Sequence, residues 1–304
     1  MSLMLWLYQD GGPQWYREVA EAAGKRGHMV RLFSQPWQIK ADQYPGYAFT
    51  RIAQFPPMID QDRKKVLAAL AVSGVKPIQD ATQIRVYEDK VAQTIRWHEW
   101  MPKSYVLMNR ESAELALEFM IFPFISKAAV GSASLNIRLV KTKDEAIAEI
   151  NASFGEGITI RQGPGASVKQ KGYLLWQEFI DHTVTYRVTG IGTKRHVYAR
   201  FNYPDKPMAA PSKVVQTCPL TETDAGVPGL LEFSDAFFAA AGTKFCAIDV
   251  LWDARRERWR LLETAQSWAR GNDPAGNACF YGTSHSLLKQ HELLVDEIEA
   301  GAFG

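Results

Sequence analysis

The sequence predicts an α/β protein in which a small N-terminal parallel layer precedes two lobes of mixed helices and largely antiparallel strands. Three observations predict it. A strand, helix, strand alternation opens the chain between Leu3 and Phe33. A Gly/Ser-rich, charged stretch from Gly155 to Gly172 reads as a loop joining two lobes. From Tyr173 onward, strand patterning dominates.

The elements follow in order. Leu3–Tyr8 is a short apolar strand, Asp10-Gly11-Gly12-Pro13 a turn, and Trp15–Arg26 an amphipathic helix that stops at Gly27, the residue type that caps helix C-termini. His28–Phe33 is a second strand, Ala48–Ile52 a third, Asp62–Ser73 a helix closed by Gly74, and Val75–Gln79 a fourth strand. The glycines are too sparse for GxGxxG, so a dinucleotide fingerprint is absent. Helical spacing resumes over Val86–Trp100 and stops before Pro102. Glu111–Met120 then reads as a helix, Phe122–Ala128 and Ile137–Val140 as strands, and Lys143–Ser153 as a helix. Beyond the loop come strands at Tyr173–Ile180, Thr185–Gly190 and His196–Phe201, and a helix at Leu230–Ala241. A hairpin of Ala247–Trp252 and Trp259–Thr264 turns at Asp253–Arg258, and Ser284–Ala300 closes the chain as an amphipathic helix. There is no internal repeat and no low-complexity tract.

Composition narrows the function classes. With 304 residues, 46% hydrophobic and 22% charged, the chain has material for two domains or one large one. Its 35 basic and 33 acidic residues leave a net charge of +2, which calls for neither nucleic acid nor a membrane surface as partner. Cys218, Cys246 and Cys279 are far apart, odd in number and outside any CxxC pairing, so they read as reduced thiols, with Cys246 in the core. No apolar stretch approaches the roughly eighteen residues of a membrane span, and the N-terminus lacks a signal-peptide layout, so a cytoplasmic location is expected. Met1-Ser2-Leu3 ahead of Met4 reads as an expression leader and stays outside the fold argument.

The hairpin carries the strongest chemical signal. Asp249 and Glu263 lie on its two strands at an even separation that allows them to stand opposite each other on one face. Opposed residues have Cβ atoms about 4.5–5.5 Å apart, and like charges there repel unless a cation intervenes. Hard carboxylate oxygens without Cys or His nearby suit magnesium, which uses one or two carboxylates and fills its shell with water and phosphate oxygens. An ordinary solvated hairpin bearing two acids fits the same pattern.

Elsewhere, Lys127 ends the apolar run PFISK and is followed by AAVGSASLN, a small-residue loop able to fold over a phosphate, although no Walker A motif is present. Lys90 in YEDKVAQ opens a helix, where the dipole favours acids over bases. Glu178 sits in the apolar strand YLLWQEFI and needs a partner, an adenine amino group or a neighbouring basic side chain. Arg187 and Arg200 lie on the next two strands, available to an anion or to structural salt bridges.

The order of these residues is specific. A lysine in DK, a strand-ending lysine, a small-residue loop, QEFI, Arg187, Arg200, an Asp strand and a Glu strand resemble the ATP-grasp superfamily from about Tyr87 to Ser267. The chain looks most like the carboxylate–amine ligase branch containing the RimK-type glutamate ligases and glutathione synthetases. KRGHMV and the TRI at Thr50–Ile52 are similar to the pre-grasp domain of that branch. The resemblance implies a pre-grasp domain over residues 1–86, a central lobe over 87–170 and a C-terminal lobe over 171–304. It further implies that Lys90 and Lys127 contact the ATP phosphates, and that Gly131–Asn136, including Gly131 and Ser132, form the flap. Gln177, Glu178, Phe179 and Ile180 would hold adenine, Arg187 and Arg200 would act on the transferring phosphoryl group, and Asp249 and Glu263 would bind Mg2+. The implied activity joins a small-molecule carboxylate to an amine, an amino acid or peptide among the candidates, releasing ADP and phosphate. Homo-oligomerisation stays open.

The sequence departs from the family pattern at three places. The acid expected two residues before the arginine is Thr185, so a ribose contact passes to Thr185 or Asp181. The expected Glu-x-Asn is Glu263-Thr264-Ala265, with Gln266 one position late unless the strand bulges, and the flap reads GSAS where many members carry more glycine. A small-molecule kinase on the same scaffold and a non-catalytic nucleotide-binding module remain alternatives. Arg51, Arg270 and Asn272 are candidates for substrate carboxylates. Trp15, Trp37, Trp97, Trp100 and Trp268 read as core or interface residues before a substrate groove, and His98, His182 and His196 fit no metal spacing.

Overall fold

Short apolar strands alternating with helices produce a parallel sheet at the N-terminus. In the computed structural model, which describes residues 4–8, 15–33, 46–49, 58–129, 136–163, 166–201, 229–265, 279–280, 283–286 and 290–304, this layer comprises β1 (Met4–Tyr8), α1 (Trp15–Lys25), β2 (Met29–Phe33), β3 (Gly46–Phe49), α2 (Met58–Ser73) and β4 (Lys76–Pro77). The strands run parallel in the order β2-β1-β3-β4. The strand expected over Val75–Gln79 is cut to two residues at the sheet edge, where Pro77 costs no ladder hydrogen bond.

The helix expected over Val86–Trp100 is shortened to α4 (Lys90–Trp97), and a helix not expected, α3 (Ala81–Val86), precedes it. Tyr87 is extended, Glu88 takes a left-handed φ of 54°, and Asp89 caps α4 by accepting from the Ala92 amide. The break has a packing reason. It sends the Tyr87 ring into the N-terminal core with Phe33, Ala48, Val66 and Ile84, and frees Lys90 to turn elsewhere.

A second sheet contains β5 (Ser104–Leu107), β6 (Phe124–Lys127), β7 (Ile137–Val140) and β10 (Leu174–Glu178), antiparallel in the order β5-β10-β6-β7. Helices α5 (Arg110–Leu117), opened by an Asn109–Ser112 capping box, and α6 (Lys143–Phe154), capped by Thr142, cover one face. Residues Gly155–Gly172, expected as a loop between lobes, instead hold a hairpin of β8 (Ile158–Gly163) and β9 (Ala166–Gln170). Its ends return to α6, through Gly157 N to Ala152 O (2.7 Å) and Gly172 N to Ser153 O (3.0 Å), so the hairpin belongs to the middle of the chain. Strand β10, beyond this hairpin, belongs to the same sheet as β5, β6 and β7. Strand β10 pairs with β5 and β6 because Trp176 and Leu174 fill the core beneath α5 and α6.

The third sheet is formed by β11 (Val184–Ile191), β12 (Lys194–Phe201), β13 (Phe245–Asp253), β14 (Arg258–Ala265), β15 (Cys279–Phe280) and β16 (Thr283–Ser286), antiparallel in the order β14-β13-β11-β12-β15-β16. Helix α7 (Leu230–Ala241) packs Phe237 and Phe238 on one face, against Val188, Cys246, Ile248 and Val250. The closing helix is shorter than expected, α8 (Gln290–Glu299), since Ser284 falls in β16. It returns to the N-terminal layer, where Arg26 pairs with Asp296 and Glu299 and His28 with Glu299 at 2.6 Å. No helix among the described residues is long and apolar enough to cross a membrane.

Candidate functional site

Strand alternation decides which β13 side chains leave the core. Cys246, Ile248 and Val250 point to α7, while Phe245 and Ala247 point to the core shared with α1 and α8. Asp249 continues the second face beyond the end of that core. Whether Glu263 joins it depends on one residue. Near the turn the ladder runs Trp252–Trp259, Leu251–Arg260 and Val250–Leu261, and then shifts so that Asp249 faces Glu263. Leu262 is the extra residue of this bulge, and without it Leu262 would face Asp249.

The two opposed acids are each met by a cation. Arg187, opposite Asp249 on β11, forms a bidentate pair with it, Nε to Oδ1 and Nη2 to Oδ2, both 2.6 Å. Lys90 Nζ lies 3.5 Å from Glu263 Oε1, and Lys90 is 7% exposed, far from the solvated helix lysine its sequence position suggests. The mutual repulsion expected of the acids is therefore already offset by side chains of this protein, and opposition alone does not demand a metal.

Lys127 completes the cluster from the second sheet. In the β6–β10 register it faces Leu175, as Ile125 faces Gln177, and these four share the face turned away from α5 and α6. Burial pulls the Lys127 ammonium down to about 8, Glu263 and Asp249 pull it back up, and neighbouring Lys90 pushes it down. Five of the sequence candidates, Lys90, Lys127, Arg187, Asp249 and Glu263, thus come from four strands and a helix N-terminus into one electrostatic cluster.

The remaining candidates sit around it. Thr185 is buried two positions before Arg187 and pairs in the ladder with Arg200, whose side chain lies outside the described set. Gln177 is buried, its Nε2 donating to Ser104 Oγ at 2.8 Å. Glu178 has the basic partner its apolar strand required, Arg256 Nη2 at 2.7 Å. Ile180 is buried and its carbonyl accepts from His182 Nδ1 at 2.7 Å, while Phe179 is half-buried and Asp181 exposed. Gly131, Ser132, Arg51, Gln266, Trp268, Arg270, Asn272, Trp37 and Cys218 lie outside the described residues, as do the side chains of Trp15 and Cys279. The base of the flap is described: Ala128 N donates to Asn136 O (3.0 Å), and the Asn136 amide bonds both N and O of Arg161. Trp97 and Trp100 are core residues stacked edgewise on Phe237. Cys246 is buried, which pushes its thiol upward, and burial holds His182 below its usual range.

Sequence reasoning missed the supports. Gln93 donates to Val86 O (2.9 Å) and Thr264 O (3.0 Å) and accepts from Thr264 N (2.8 Å), fixing β14 beside Glu263. Its position one helical turn after Lys90 was a usable signal. Gln170, whose Oε1 accepts from Ala129 N at 3.0 Å, and Lys90 N, which donates to Ala129 O at 2.8 Å, hold the strand end behind Lys127.

The donor set fits magnesium. Two carboxylates stand opposite each other, each carboxylate has lone pairs beyond those used by its cation, and water and phosphate oxygens would supply the rest. Among the described residues no group of three or more acidic, His or Cys side chains is placed to hold a metal ion.

No protein-family model matches the chain, and no curated protein matches it in sequence. Solved structures do match along its full length. A RimK domain protein, ATP-grasp, from Sphaerobacter thermophilus DSM 20745 aligns with TM-score 0.59 at 16% identity, covering 97% of this chain and 99% of that one. The D-alanine–D-alanine ligase of Bacillus anthracis aligns at 0.58 and 13% identity, and its complex with ATP at 0.60 and 12%, each covering 99% of this chain and 97% of the other. At this identity the likeness concerns architecture, and with the element order described above the conclusion is that this chain has the ATP-grasp fold.

Proposed function

We propose that the protein is an ATP-dependent ligase that joins a carboxylate to an amine through an acyl phosphate. The observation that carries the reading is the convergence of Lys90, Lys127 and Arg187 with the opposed pair Asp249 and Glu263, three cations and two acids between two antiparallel sheets. The names of the structural neighbours, a RimK domain protein and a D-alanine–D-alanine ligase, support a ligase over the kinase alternative.

In this reading a substrate carboxylate oxygen attacks the γ-phosphorus, the bond to the bridging oxygen breaks and ADP leaves. The amine nitrogen then attacks the acyl carbon, loses a proton, and phosphate departs. Lys90 and Lys127 position and neutralise the triphosphate, and Arg187 and Arg200 stabilise charge on the transferring phosphoryl group. The segment Gln177–Ile180 receives the base. Asp249 and Glu263 would hold Mg2+, which when bound draws charge from the phosphate oxygens. Arg187 does double duty, since it holds Asp249 in place until an anion draws its guanidinium away.

The test is turnover with ATP, Mg2+ and pooled amino acids and short peptides, scoring ADP, AMP and phosphate separately. ADP and phosphate released in step, only with both substrates present, is the expected result. Release of AMP would overturn the acyl-phosphate route, and ADP without free phosphate would turn the reading to a kinase.

A further inference from the structure

Among the groups that the proposed mechanism leaves unused, one arginine joins the two sheets. The turn between β13 and β14 is ordered by Asp253, whose carboxylate is fully buried and accepts from Arg255 N (3.2 Å) and Arg256 Nη1 (2.8 Å). The other arm of the same guanidinium, Nη2, reaches Glu178 Oε1 at 2.7 Å on the last residue of β10. The backbone of Glu178 is held in turn, its N–H donating to Lys103 O at 2.8 Å.

The geometry points to Arg256 as a positioning residue for the base-binding end of the nucleotide cleft, an inference that rests on the ATP-site reading above. Its anchor, Asp253, sits on the hairpin that carries Asp249 and Glu263. Its target, Glu178, begins the segment Glu178–Ile180 that leads out of the other sheet. One planar guanidinium therefore sets the spacing between the metal-bearing hairpin and the strand end offered to the base, with two fixed N–H directions that a lysine cannot reproduce. Pairing with Arg256 also fixes the Glu178 carboxylate, an acceptor, at the strand end. An acceptor at that strand end favours a 6-amino purine and disfavours a 6-oxo purine, whose oxygen would face a carboxylate.

Position decides how the inference is tested. Arg256 lies at the surface, but its removal takes a charged partner from the buried Asp253 carboxylate, so Arg256→Ala should lower the melting temperature by about a few degrees, and binding is measured well below that transition. Dissociation constants for ATP, GTP and inorganic tripolyphosphate are measured for the wild type, Arg256→Ala, Arg256→Lys, Glu178→Gln and the Arg256→Ala/Glu178→Gln double variant. Arg256→Ala should weaken ATP about two- to fivefold, narrow the ATP to GTP preference and leave tripolyphosphate unchanged, with Arg256→Lys recovering only part of the loss. The losses of the two single variants should not add in the double variant. Equal weakening of ATP and tripolyphosphate, or no change for either, overturns the positioning role. If the wild type binds neither ATP nor tripolyphosphate, the ATP-site reading itself falls.

Discussion

Replacing Lys127 with methionine should make the free protein more stable at neutral pH while removing its affinity for ATP. Lys127 is 9% exposed, and burial brings its ammonium from 10.5 down to about 8 against the upward pull of Glu263 and Asp249. Because the folded value lies below the unfolded one, the unfolded chain binds more protons between about pH 8 and 10.5, and stability rises with pH across that window. Below pH 8 the full cost of burying the charge is present, and above 10.5 it is gone. At about 1.4 kcal/mol per pH unit, the drop corresponds to roughly 3 kcal/mol. Methionine is unbranched and apolar and fills similar space without the charge. Lys127→Met should therefore gain up to about 3 kcal/mol in urea denaturation at pH 7, a figure already net of the attraction to Glu263 and Asp249, and the gain should fade toward pH 10.5. ATP should raise the melting temperature of the wild type and not of the variant. A variant destabilised to the same degree at pH 7 and pH 10 would refute the reasoning, because it would mean that Lys127 acts in the fold through packing and not through its charge.

Two further outcomes follow from the same geometry. Asp249→Asn and Glu263→Gln should each lower turnover at least about 100-fold and abolish the Mg2+-dependent part of nucleotide stabilisation, with circular dichroism unchanged. Retained activity in either variant would remove that residue from the metal site. Gln93→Ala strips partners from the Val86 carbonyl and from both backbone groups of Thr264, so stability should fall by about 2–5 kcal/mol in chemical denaturation. A loss under about 1 kcal/mol would show that water replaces the glutamine and that β14 is held by other means.

Much of the candidate site was legible residue by residue because its charged groups stand along the chain in an order that resembles the ATP-grasp superfamily. Lys90, Lys127, Arg187, Asp249 and Glu263 were all named from that order, and the structure brings all five together. Local signals also located most elements, since Gly27 and Gly74, both at positive φ, end the first two helices within a turn of their last residues. The misreadings share one cause. The periodicity of Val86–Trp100 is helical throughout, whereas the chain breaks at Glu88 and buries Tyr87 in the N-terminal core, contacts that no local signal encodes. Residues 155–172 have loop composition, yet Ile158, Ile160 and Val168 pair as a hairpin once α6 brings their ends together.

By itself the sequence determined the inventory and order of the charged groups, the parallel opening and the identity of the hairpin that carries the two acids. Tertiary structure alone decided how those acids are met. The bulge at Leu262 turns Glu263 onto the face of Asp249, Arg187 arrives from the neighbouring strand, Lys90 from a helix in another part of the fold, and Arg256 spans to Glu178. The physical reason is range. Backbone preferences and side-chain alternation act over a few residues, whereas partners separated by 62, 78 and 173 positions meet only when packing of the sheets has fixed their register.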